Sequence, residues 1–532
     1  MQKAYEGKKK DESRIRLANG IPGVKTSGRI KRREFIKLAG ASAAASLVYG
    51  SSGFSLPLRS RRRPNVLFIL VDDLRPELCS YGVDQIKTPN IDRIAQQGLV
   101  FTRAYCPQSI CNPSRASLLT GMRSETLRVW DNETHFRHIN PTIKTLPQVF
   151  KIQGYNTISI GKVFHGTLPD PPSWSQSHLP PVTYPYYMCQ ETQARQDMRE
   201  KTARRLGYSQ RWIDAYIRGP ATEAFDAPDN SYRDGALTEI AIQMLLEFKK
   251  KQPFFMAVGF SKPHLPYVAP QKYWDLYRRD EIPLAPNNFI PKGAPPFAIN
   301  SLTELACYED FVQAPNPTEG QIPEDQARLL KHGYYACISF IDAQIGRIFD
   351  ALNTLKLQKN TILVLLGDNG CKLGEHGSWV KMTNYEIDLR IPLIISSPFR
   401  INPVGSTSAL VEIVDLYPTI CELAGLEMPP TLEGLSLVPL LQNPERPWKL
   451  ATFSQYPRGF AYRFMGKSIR TDRYRYTEWR DRLDDRLVAV ELYDHETDPQ
   501  ENICIAGDPQ HKELVHQLSS RLAAGWRAAL PE

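Results

Sequence analysis

Asn65-Val66-Leu67-Phe68-Ile69-Leu70-Val71 is the stretch that decides the fold of this 532-residue chain, and Asp72-Asp73 follows it directly. Its six apolar residues succeed one another without polar alternation, which is typical of a strand buried on both faces of a parallel sheet. Similar short runs recur at residues 157–160, 254–258, 361–366 and 392–395. Helical patterns lie between them, at residues 91–97, 146–152, 236–250 and 325–355. This alternation predicts an α/β fold in which helices sandwich a large, mostly parallel sheet.

The chain is longer than a single hydrophobic core usually supports, so we predict more than one domain. Beyond residue 450 the pattern changes to shorter, partly antiparallel strands and a final amphipathic helix, at residues 452–456, 466–479, 491–493 and 511–529. We therefore predict a main domain over residues 56–450 and a smaller α+β subdomain over residues 451–532. Residues 166–233 are rich in Pro, Tyr and polar side chains, and we expect long loops there that cover the carboxyl edge of the sheet.

The formal net charge of +9 at pH 7 belongs mostly to the beginning of the chain. Residues 1–50 contain 12 Lys or Arg and 4 Asp or Glu, so they carry +8 of that charge. The remainder is nearly neutral and has no basic patch interleaved with aromatic residues. The sequence therefore predicts no nucleic-acid partner.

The basic N-terminal segment resembles an export signal. Lys31-Arg32-Arg33-Glu34-Phe35-Ile36-Lys37 is similar to the twin-arginine motif, with Lys where that motif usually has Ser. Residues 38–50 follow as a weakly apolar, Ala-rich stretch that is too short to span a bilayer. The alternative is a basic surface patch beside an Ala-rich helix. We predict a leader over residues 1–55, recognition by the twin-arginine export machinery, a periplasmic or extracellular location and no stable membrane insertion.

Nine cysteines are present, and none of their spacings is that of a zinc site. Apart from Cys111, they are Cys79, Cys106, Cys189, Cys307, Cys337, Cys371, Cys421 and Cys504. These eight are an even number, which is compatible with disulfides in an oxidising compartment.

Acidic and amide side chains follow two of the predicted strands directly. Asp72 and Asp73 come after the first strand, and Asp368 and Asn369 come after the run at 361–366. Ligands of α/β sheets bind beyond the carboxyl ends of the strands, so both pairs should lie at one edge. Their oxygen atoms are ligands that suit Ca²⁺ or Mg²⁺. The alternative for each pair alone is ordinary turn chemistry.

Basic side chains follow other predicted strands in the same way. Lys162 and His165 come after the run at 157–160, and His264 lies in Lys262-Pro263-His264 after the run at 254–258. Lys381 follows Trp379-Val380, shortly after the Asp368 strand. A single Lys or His on a loop is more often a solvated surface group. Several of them after strands at one edge instead indicate a site that binds an anion.

The run Cys111-Asn112-Pro113-Ser114-Arg115 continues to Thr120-Gly121 and has a helical pattern. Pro113 suits the first helical turn, where its missing N–H does no harm. Cys111 would then lie at the positive end of a helix dipole, which is suited to an anion. The alternative is a buried structural cysteine. With Arg115 four residues on and Thr120-Gly121 at nine and ten, however, the run is similar to the sulfatase signature.

From residue 64 to the C-terminal region the chain resembles a type I sulfatase of the alkaline-phosphatase-like superfamily, and within it the iduronate-2-sulfatase branch. Besides the signature, the resemblance is carried by residues 161–165, 262–264, 334–351, 373–377, 468–471, 474–476, 491–494 and 498–499. One departure is visible, because that branch has His at the position of Asn369. Asn is common there in other sulfatases and keeps an oxygen ligand.

The resemblance implies a role for each of these residues. Cys111 would be converted by a formylglycine-generating maturation enzyme, and its hydrated aldehyde would attack the sulfate ester. Asp72, Asp73, Asp368, Asn369 and position 111 would bind Ca²⁺, with Mg²⁺ as the alternative. Arg115 would stabilise the hydrated aldehyde, and Lys162 and Lys381 would hold the sulfate oxygens. His165 would take the proton whose removal expels sulfate, and His264, with Lys381, would protonate the leaving alcohol.

We therefore expect an exported hydrolase of sulfate monoesters on a sulfated sugar or polysaccharide, with a 2-O-sulfated uronic acid as the favoured substrate. Within enzymes, the alternative is a phosphomonoester or phosphonate monoester hydrolase of the same superfamily. An alternative of a different class is a non-catalytic polysaccharide-binding relative, which would keep an unmodified Cys111.

Overall fold

The structure, a computed structural model, describes residues 63–531 except 167, 180–185, 250–252, 303 and 400–404. The predicted leader over residues 1–55 lies outside the described residues. The strands are β1 (Asn65–Val71), β2 (Leu99–Phe101), β3 (Ala104–Tyr105), β4 (Asn156–Gly161), β5 (Thr222–Phe225), β6 (Phe254–Phe260), β7 (Tyr267–Pro270), β8 (Thr361–Gly367), β9 (Lys372–Leu373), β10 (Trp379–Val380), β11 (Arg390–Ile391), β12 (Leu393–Ser396), β13 (Gly405–Thr407), β14 (Val411–Glu412), β15 (Ala451–Arg458), β16 (Phe464–Thr471), β17 (Tyr474–Asp481) and β18 (Leu487–Asp494). The helices are α1 (Pro89–Ala95), α2 (Cys111–Thr120), α3 (Ser124–Leu127), α4 (Leu146–Ile152), α5 (Gln190–Arg205), α6 (Gln210–Tyr216), α7 (Arg233–Phe248), α8 (Gln271–Trp274), α9 (Glu324–Thr354), α10 (Glu386–Leu389), α11 (Leu416–Ala424), α12 (Val438–Gln442) and α13 (Lys512–Ala524).

A seven-stranded sheet in the order β13-β2-β12-β8-β1-β6-β4 forms the centre of the protein. β8, β1, β6 and β4 are mutually parallel, so their carboxyl ends lie along one edge. β12, predicted as one more run of the sheet, is antiparallel to both of its neighbours. The α/β prediction with a mostly parallel sheet is confirmed.

Burial on both faces explains why β1 has no polar alternation. Leu67, Ile69 and Val71 point into one apolar core, which also contains side chains of α1, α7 and α9. The intervening residues of β1 point into a second core with side chains of α2, α4 and α11. Successive strand residues face opposite sides, so each side of this strand requires apolar residues.

The C-terminal part is an antiparallel sheet, β15-β16-β17-β18, with α13 packed against it. The predicted stretch 466–479 proves to be two strands, β16 and β17, which pair in antiparallel register. The amide of Gln455 in β15 donates to the carbonyl of Pro107 at 2.8 Å, and the Ser454 hydroxyl donates to the carbonyl of Cys106. The smaller sheet is thereby attached to the segment that leads into α2.

The expectation of long loops over residues 166–233 is wrong for much of that segment. It contains α5, α6 and β5, although its described residues before α5 form only one short 3-10 turn, Pro171–Ser173, and no helix or named strand. α5 consists largely of Gln, Glu, Arg and Lys, which are good helix formers but give no apolar stripe. Hydrophobic periodicity therefore gave no signal for this helix.

All nine cysteines are described, and each is a free thiol in the structure. Six of them are buried, namely Cys106, Cys111, Cys307, Cys337, Cys371 and Cys421. Among the described residues, no helix combines the length and apolar character needed to cross a bilayer.

A buried carboxylate attaches the start of α1 to α9. Asp342 Oδ1 accepts hydrogen bonds from the backbone amides of Asn90 at 3.0 Å and Ile91 at 2.8 Å. We expect Asp342→Ala to leave these amides unpaired and to lower the free energy of unfolding by about 1–3 kcal/mol, measured by urea denaturation. Asp350→Ala is the matched control on the same helix, because it removes only an exposed pair with Arg93, worth less than about 1 kcal/mol. Equal losses in the two variants would contradict this role.

Candidate active site

The two strand-end pairs that the sequence singles out meet at the carboxyl edge of the sheet. Val71 is in register with Gly367, so Asp72-Asp73 and Asp368-Asn369 begin side by side. The backbone amide of Asp73 donates to Asp368 Oδ1 at 3.1 Å. Single oxygen atoms of Asp72, Asp73 and Asp368 all lie within 4.8 Å of one another, and all three side chains are buried.

This cluster fits a hard divalent cation. Asn369 donates from Nδ2 to Asp73 Oδ1 at 2.7 Å, but its buried Oδ1 has no hydrogen-bond partner. A buried carbonyl oxygen without a donor is costly, and a cation would satisfy it. Burial and the nearby charge of Asp72 raise the pKa of Asp368 to about 6, although the charge of Arg115 opposes this shift. The carboxylates and the amide oxygen together make a donor set that suits a hard divalent cation.

Three basic side chains surround the carboxylates. Arg115 donates from Nε to Asp368 at 2.7 Å and from Nη2 to Asp72 at 3.1 Å. Lys162 forms an ion pair with Asp72, and Lys381 lies 2.6 Å from both oxygens of Asp73. Burial alone would raise the pKa of Asp72, but Lys162 and the other nearby cations lower it well below its usual value.

Cys111 is the first residue of α2 and lies among these charges. Its Sγ is 3.3 Å from Asp72 Oδ1 and 3.6 Å from Lys162 Nζ. Burial, followed by the charge of Asp72, raises the pKa of the Cys111 thiol well above its usual value. The unmodified side chain is therefore held as a neutral thiol, whereas a cysteine nucleophile requires a thiolate.

The two histidines of the site differ in their surroundings. Burial, followed by the charge of Lys162, lowers the pKa of His165 to about 3, so this imidazole is neutral. His264 directs Nδ1 at the carbonyl of Leu265, 2.7 Å away, and Nε2 at carboxylates. Its Nε2 is 3.9 Å from Asp73, which places this ring beside the acidic cluster.

The backbone around the site is strained at three non-glycine residues. Asp73 has a φ of 59°, and Val380 and Met382, on either side of Lys381, have φ values of 66° and 84°. Such conformations cost free energy and are concentrated at functional sites. The turn at Asp73 lets two successive residues of one strand end both face the same cluster, which an extended strand would not allow.

Sequence reasoning missed one residue of the site. Glu304 Oε1 lies 3.0 Å from His264 Nε2. Burial alone would raise the pKa of Glu304, but Lys381 and His264 lower it well below its usual value. The residue lies in an irregular segment just before a short 3-10 turn, with no apolar strand ahead of it. No signal in the sequence distinguished it from an ordinary surface glutamate.

A second group of potential metal ligands belongs to an ion-pair network. Glu386, His495 and Glu501 lie close together near the C-terminal sheet. Arg475 donates to Glu386 and to Glu501, in both cases at 2.6 Å. The guanidinium of Arg475 compensates the negative charge of the two carboxylates, so ion pairing explains this cluster without a metal ion.

Comparison with known proteins identifies relatives over nearly the whole described chain. The profile of the Sulfatase family matches residues 64–426, and that of the C-terminal region of N-sulphoglucosamine sulphohydrolase matches residues 374–527. Iduronate 2-sulfatase of Mus musculus is 35% identical over an alignment of 526 residues. The match covers 85% of this chain and 93% of that protein. A sulfatase of Formosa agariphila is 32% identical and covers 86% of each chain.

Solved structures share the fold. A protein solved in complex with its substrate D-glucosamine-2-N,6-O-disulfate has a TM-score of 0.67 and 23% identity, covering 88% of this chain and 99% of that one. The phosphonate monoester hydrolase of Agrobacterium radiobacter has a TM-score of 0.68 and 22% identity, covering 88% and 96%. At these identities the likeness concerns the fold alone.

The carboxylate of Asp368 should contribute to the retention of a divalent metal ion. Asp368→Asn keeps the size of the side chain but removes one negative charge from the donor set. We expect it to lower the divalent metal retained per protein at least about tenfold, measured by elemental mass spectrometry after dialysis. Asp170→Asn is the matched control, since Asp170 is equally buried but pairs with Arg137. Unchanged metal content in Asp368→Asn would remove this residue from the ligand set.

Proposed function

This chain belongs to the sulfatase family and is a sulfuric ester hydrolase, and we propose that it hydrolyses sulfate monoesters of a sulfated sugar through a formylglycine derived from Cys111. The observation that carries the proposal is the position of Cys111, with Sγ 3.3 Å from Asp72 and 3.6 Å from Lys162. The neutral state of the unmodified thiol supports a nucleophile other than sulfur. The similarity to iduronate 2-sulfatase supports a 2-O-sulfated uronic acid, within a polysaccharide, as the favoured substrate.

Asp72, Asp73, Asp368 and Asn369, with position 111, would hold the divalent cation, which we propose to be Ca²⁺ with Mg²⁺ as the alternative. The partnerless Oδ1 of Asn369 supports this ligand set. When bound, the ion supplies positive charge that stabilises oxygen anions at the cluster. Lys162 and Lys381, which lie against Asp72 and Asp73, would hold the sulfate oxygens.

The protonation states and contacts of the side chains support the remaining roles that the family resemblance implies. The hydrated aldehyde at position 111 supplies the attacking oxygen, and Arg115 stabilises it from within the cluster. His165 would take the proton as general base, and its neutral imidazole is the protonation state which that role requires. His264, whose Nε2 lies 3.9 Å from Asp73, would give a proton to the leaving alcohol, with Lys381 beside it.

Burial determines when the cysteine can be modified. Cys111 is 1% exposed in the folded chain, so a maturation enzyme could not reach it there. We propose that a formylglycine-generating enzyme acts on the chain before it folds. If the leader at residues 1–55 directs twin-arginine export to the periplasm or exterior, conversion must take place in the cytoplasm, because that route carries folded proteins. The division into a catalytic domain at 56–450 and a subdomain at 451–532 remains part of this proposal.

The modification is tested by mass spectrometry of protein from its native host. Trypsin releases residues 104–115, which contain both Cys111 and Cys106, so Cys106 serves as an internal control. We expect Cys106 to be alkylated by iodoacetamide, and position 111 to carry an aldehyde that reacts with hydrazines instead. An intact thiol at both positions would favour a non-catalytic, polysaccharide-binding relative.

Cys111→Ala should abolish turnover of sulfate esters, because it removes the group that becomes the nucleophile. The expected loss is at least about 10³-fold in kcat, with a thermal unfolding curve close to that of the parent protein. Cys421→Ala, another buried cysteine, which lies in α11, is the control and should keep full activity per folded molecule. Retained sulfatase activity in Cys111→Ala would contradict the proposed nucleophile.

Defined substrates test the reaction class. We expect turnover of 2-O-sulfated uronic acid disaccharides and of aryl sulfates, and much slower turnover of aryl phosphates. Efficient cleavage of aryl phosphate, with aryl and sugar sulfates left intact, would favour the phosphomonoesterase alternative and overturn the proposal.

A further inference from the structure

We propose that Glu304 is a positioning residue, which holds the imidazole of His264 in the orientation needed to protonate the leaving alcohol. This inference rests on the proposed function and adds a residue to its acid step. Glu304 Oε1 lies 3.0 Å from His264 Nε2. The other ring nitrogen, Nδ1, lies 2.7 Å from the carbonyl oxygen of Leu265.

The partners of the two ring nitrogens define the state of His264. The carbonyl of Leu265 can only accept a hydrogen bond, so Nδ1 carries hydrogen. Glu304 is a carboxylate and also only accepts, so Nε2 carries hydrogen as well. Two acceptors on opposite sides of one ring fix its plane. In that orientation Nε2 faces the cluster, 3.9 Å from Asp73.

The backbone that carries His264 is fixed independently of Glu304. Lys262 donates from Nζ to the carbonyls of His264 at 3.0 Å and Pro266 at 2.6 Å. Asp234 accepts from the backbone amides of Ser261 and Lys262, each at 2.9 Å. These contacts hold the main chain of the loop. The orientation of the imidazole ring is therefore fixed by the contacts of its two nitrogens. Glu304 makes the contact at Nε2, the nitrogen that gives the proton.

As the hydrated-aldehyde oxygen at position 111 forms its bond to sulfur, the bond between sulfur and the bridging oxygen breaks. The bridging oxygen keeps the electron pair and takes the Nε2 hydrogen of His264, which until then is donated to Glu304. The products of this step are the sulfated residue at position 111, a neutral alcohol and an imidazole that has lost one proton, which it regains from water. A sugar alkoxide is a poor leaving group and needs this proton, whereas a phenolate with an electron-withdrawing substituent does not.

The leaving group therefore gives a readout that a purely structural role would not change. We expect Glu304→Gln to lower kcat about 10- to 100-fold with a sugar sulfate and less than about threefold with 4-nitrophenyl sulfate, because general acid catalysis contributes about 10²–10⁴-fold. Glu304→Asp, which keeps the charge, should recover part of the sugar-sulfate activity. Glu309→Gln is the matched control, since Glu309 lies nearby in the chain but pairs with Arg195 and Arg199, and it should retain the parent kcat on both substrates.

A double variant separates the acid step from general damage. His264→Gln should show the same selective loss, and Glu304→Gln/His264→Gln should be no slower than His264→Gln alone. Equal losses on both substrates, no loss on either, or additive losses in the double variant would overturn the role of Glu304. If the parent enzyme itself, with position 111 converted, cleaved neither substrate, the proposed function would fail instead. If Glu304→Gln did not fold, the same selectivity in Glu304→Asp would decide the question.

Discussion

The buried charges at the carboxyl edge of the sheet are the constraint on which the rest of this structure depends. Asp72, Asp73 and Asp368 place three carboxylates within a few ångströms of one another and away from water. Such an arrangement is strongly unfavourable unless each charge has partners. Arg115, Lys162 and Lys381 provide them, and each comes from a different part of the chain. The charges of the site therefore require several distant segments to fold together.

The parallel sheet provides the rigidity that this arrangement needs. β8 and β1 are adjacent, and β6 and β4 follow on the other side, so four strand ends deliver side chains to one edge. Gly259 allows β6 to approach the end of β4 closely, because a side chain there would collide with the carbonyl of Lys162. The amide of Lys162 in turn donates to the carbonyl of Gly259 at 2.8 Å. The position of Lys162 is thus fixed by the packing of β4 on β6.

Much of the site could be predicted because its residues directly follow apolar strands. Asp72 and Asp368 stand at the ends of runs that no polar residue interrupts, and parallel strands bring such ends together. α5 could not be predicted in the same way, since its charged sequence has no apolar periodicity. The antiparallel direction of β12 could not be predicted either, because a short apolar run has the same pattern in a parallel and in an antiparallel strand. Glu304 belongs to this second group, since its role comes from a contact 40 residues along the chain from His264.

The sequence by itself determined the parallel sheet, the signature around Cys111 and the set of side chains available to the site. These features follow from local patterns. A strand that is buried on both faces needs consecutive apolar residues, and the start of a helix has its own preferred residues. Only the tertiary structure decided which charges pair, that Asn369 Oδ1 is left without a donor, and that burial and the nearby charge of Asp72 raise the pKa of the Cys111 thiol. Electrostatic interactions depend on distance in space and on exclusion of water, and neither is written in the order of the residues.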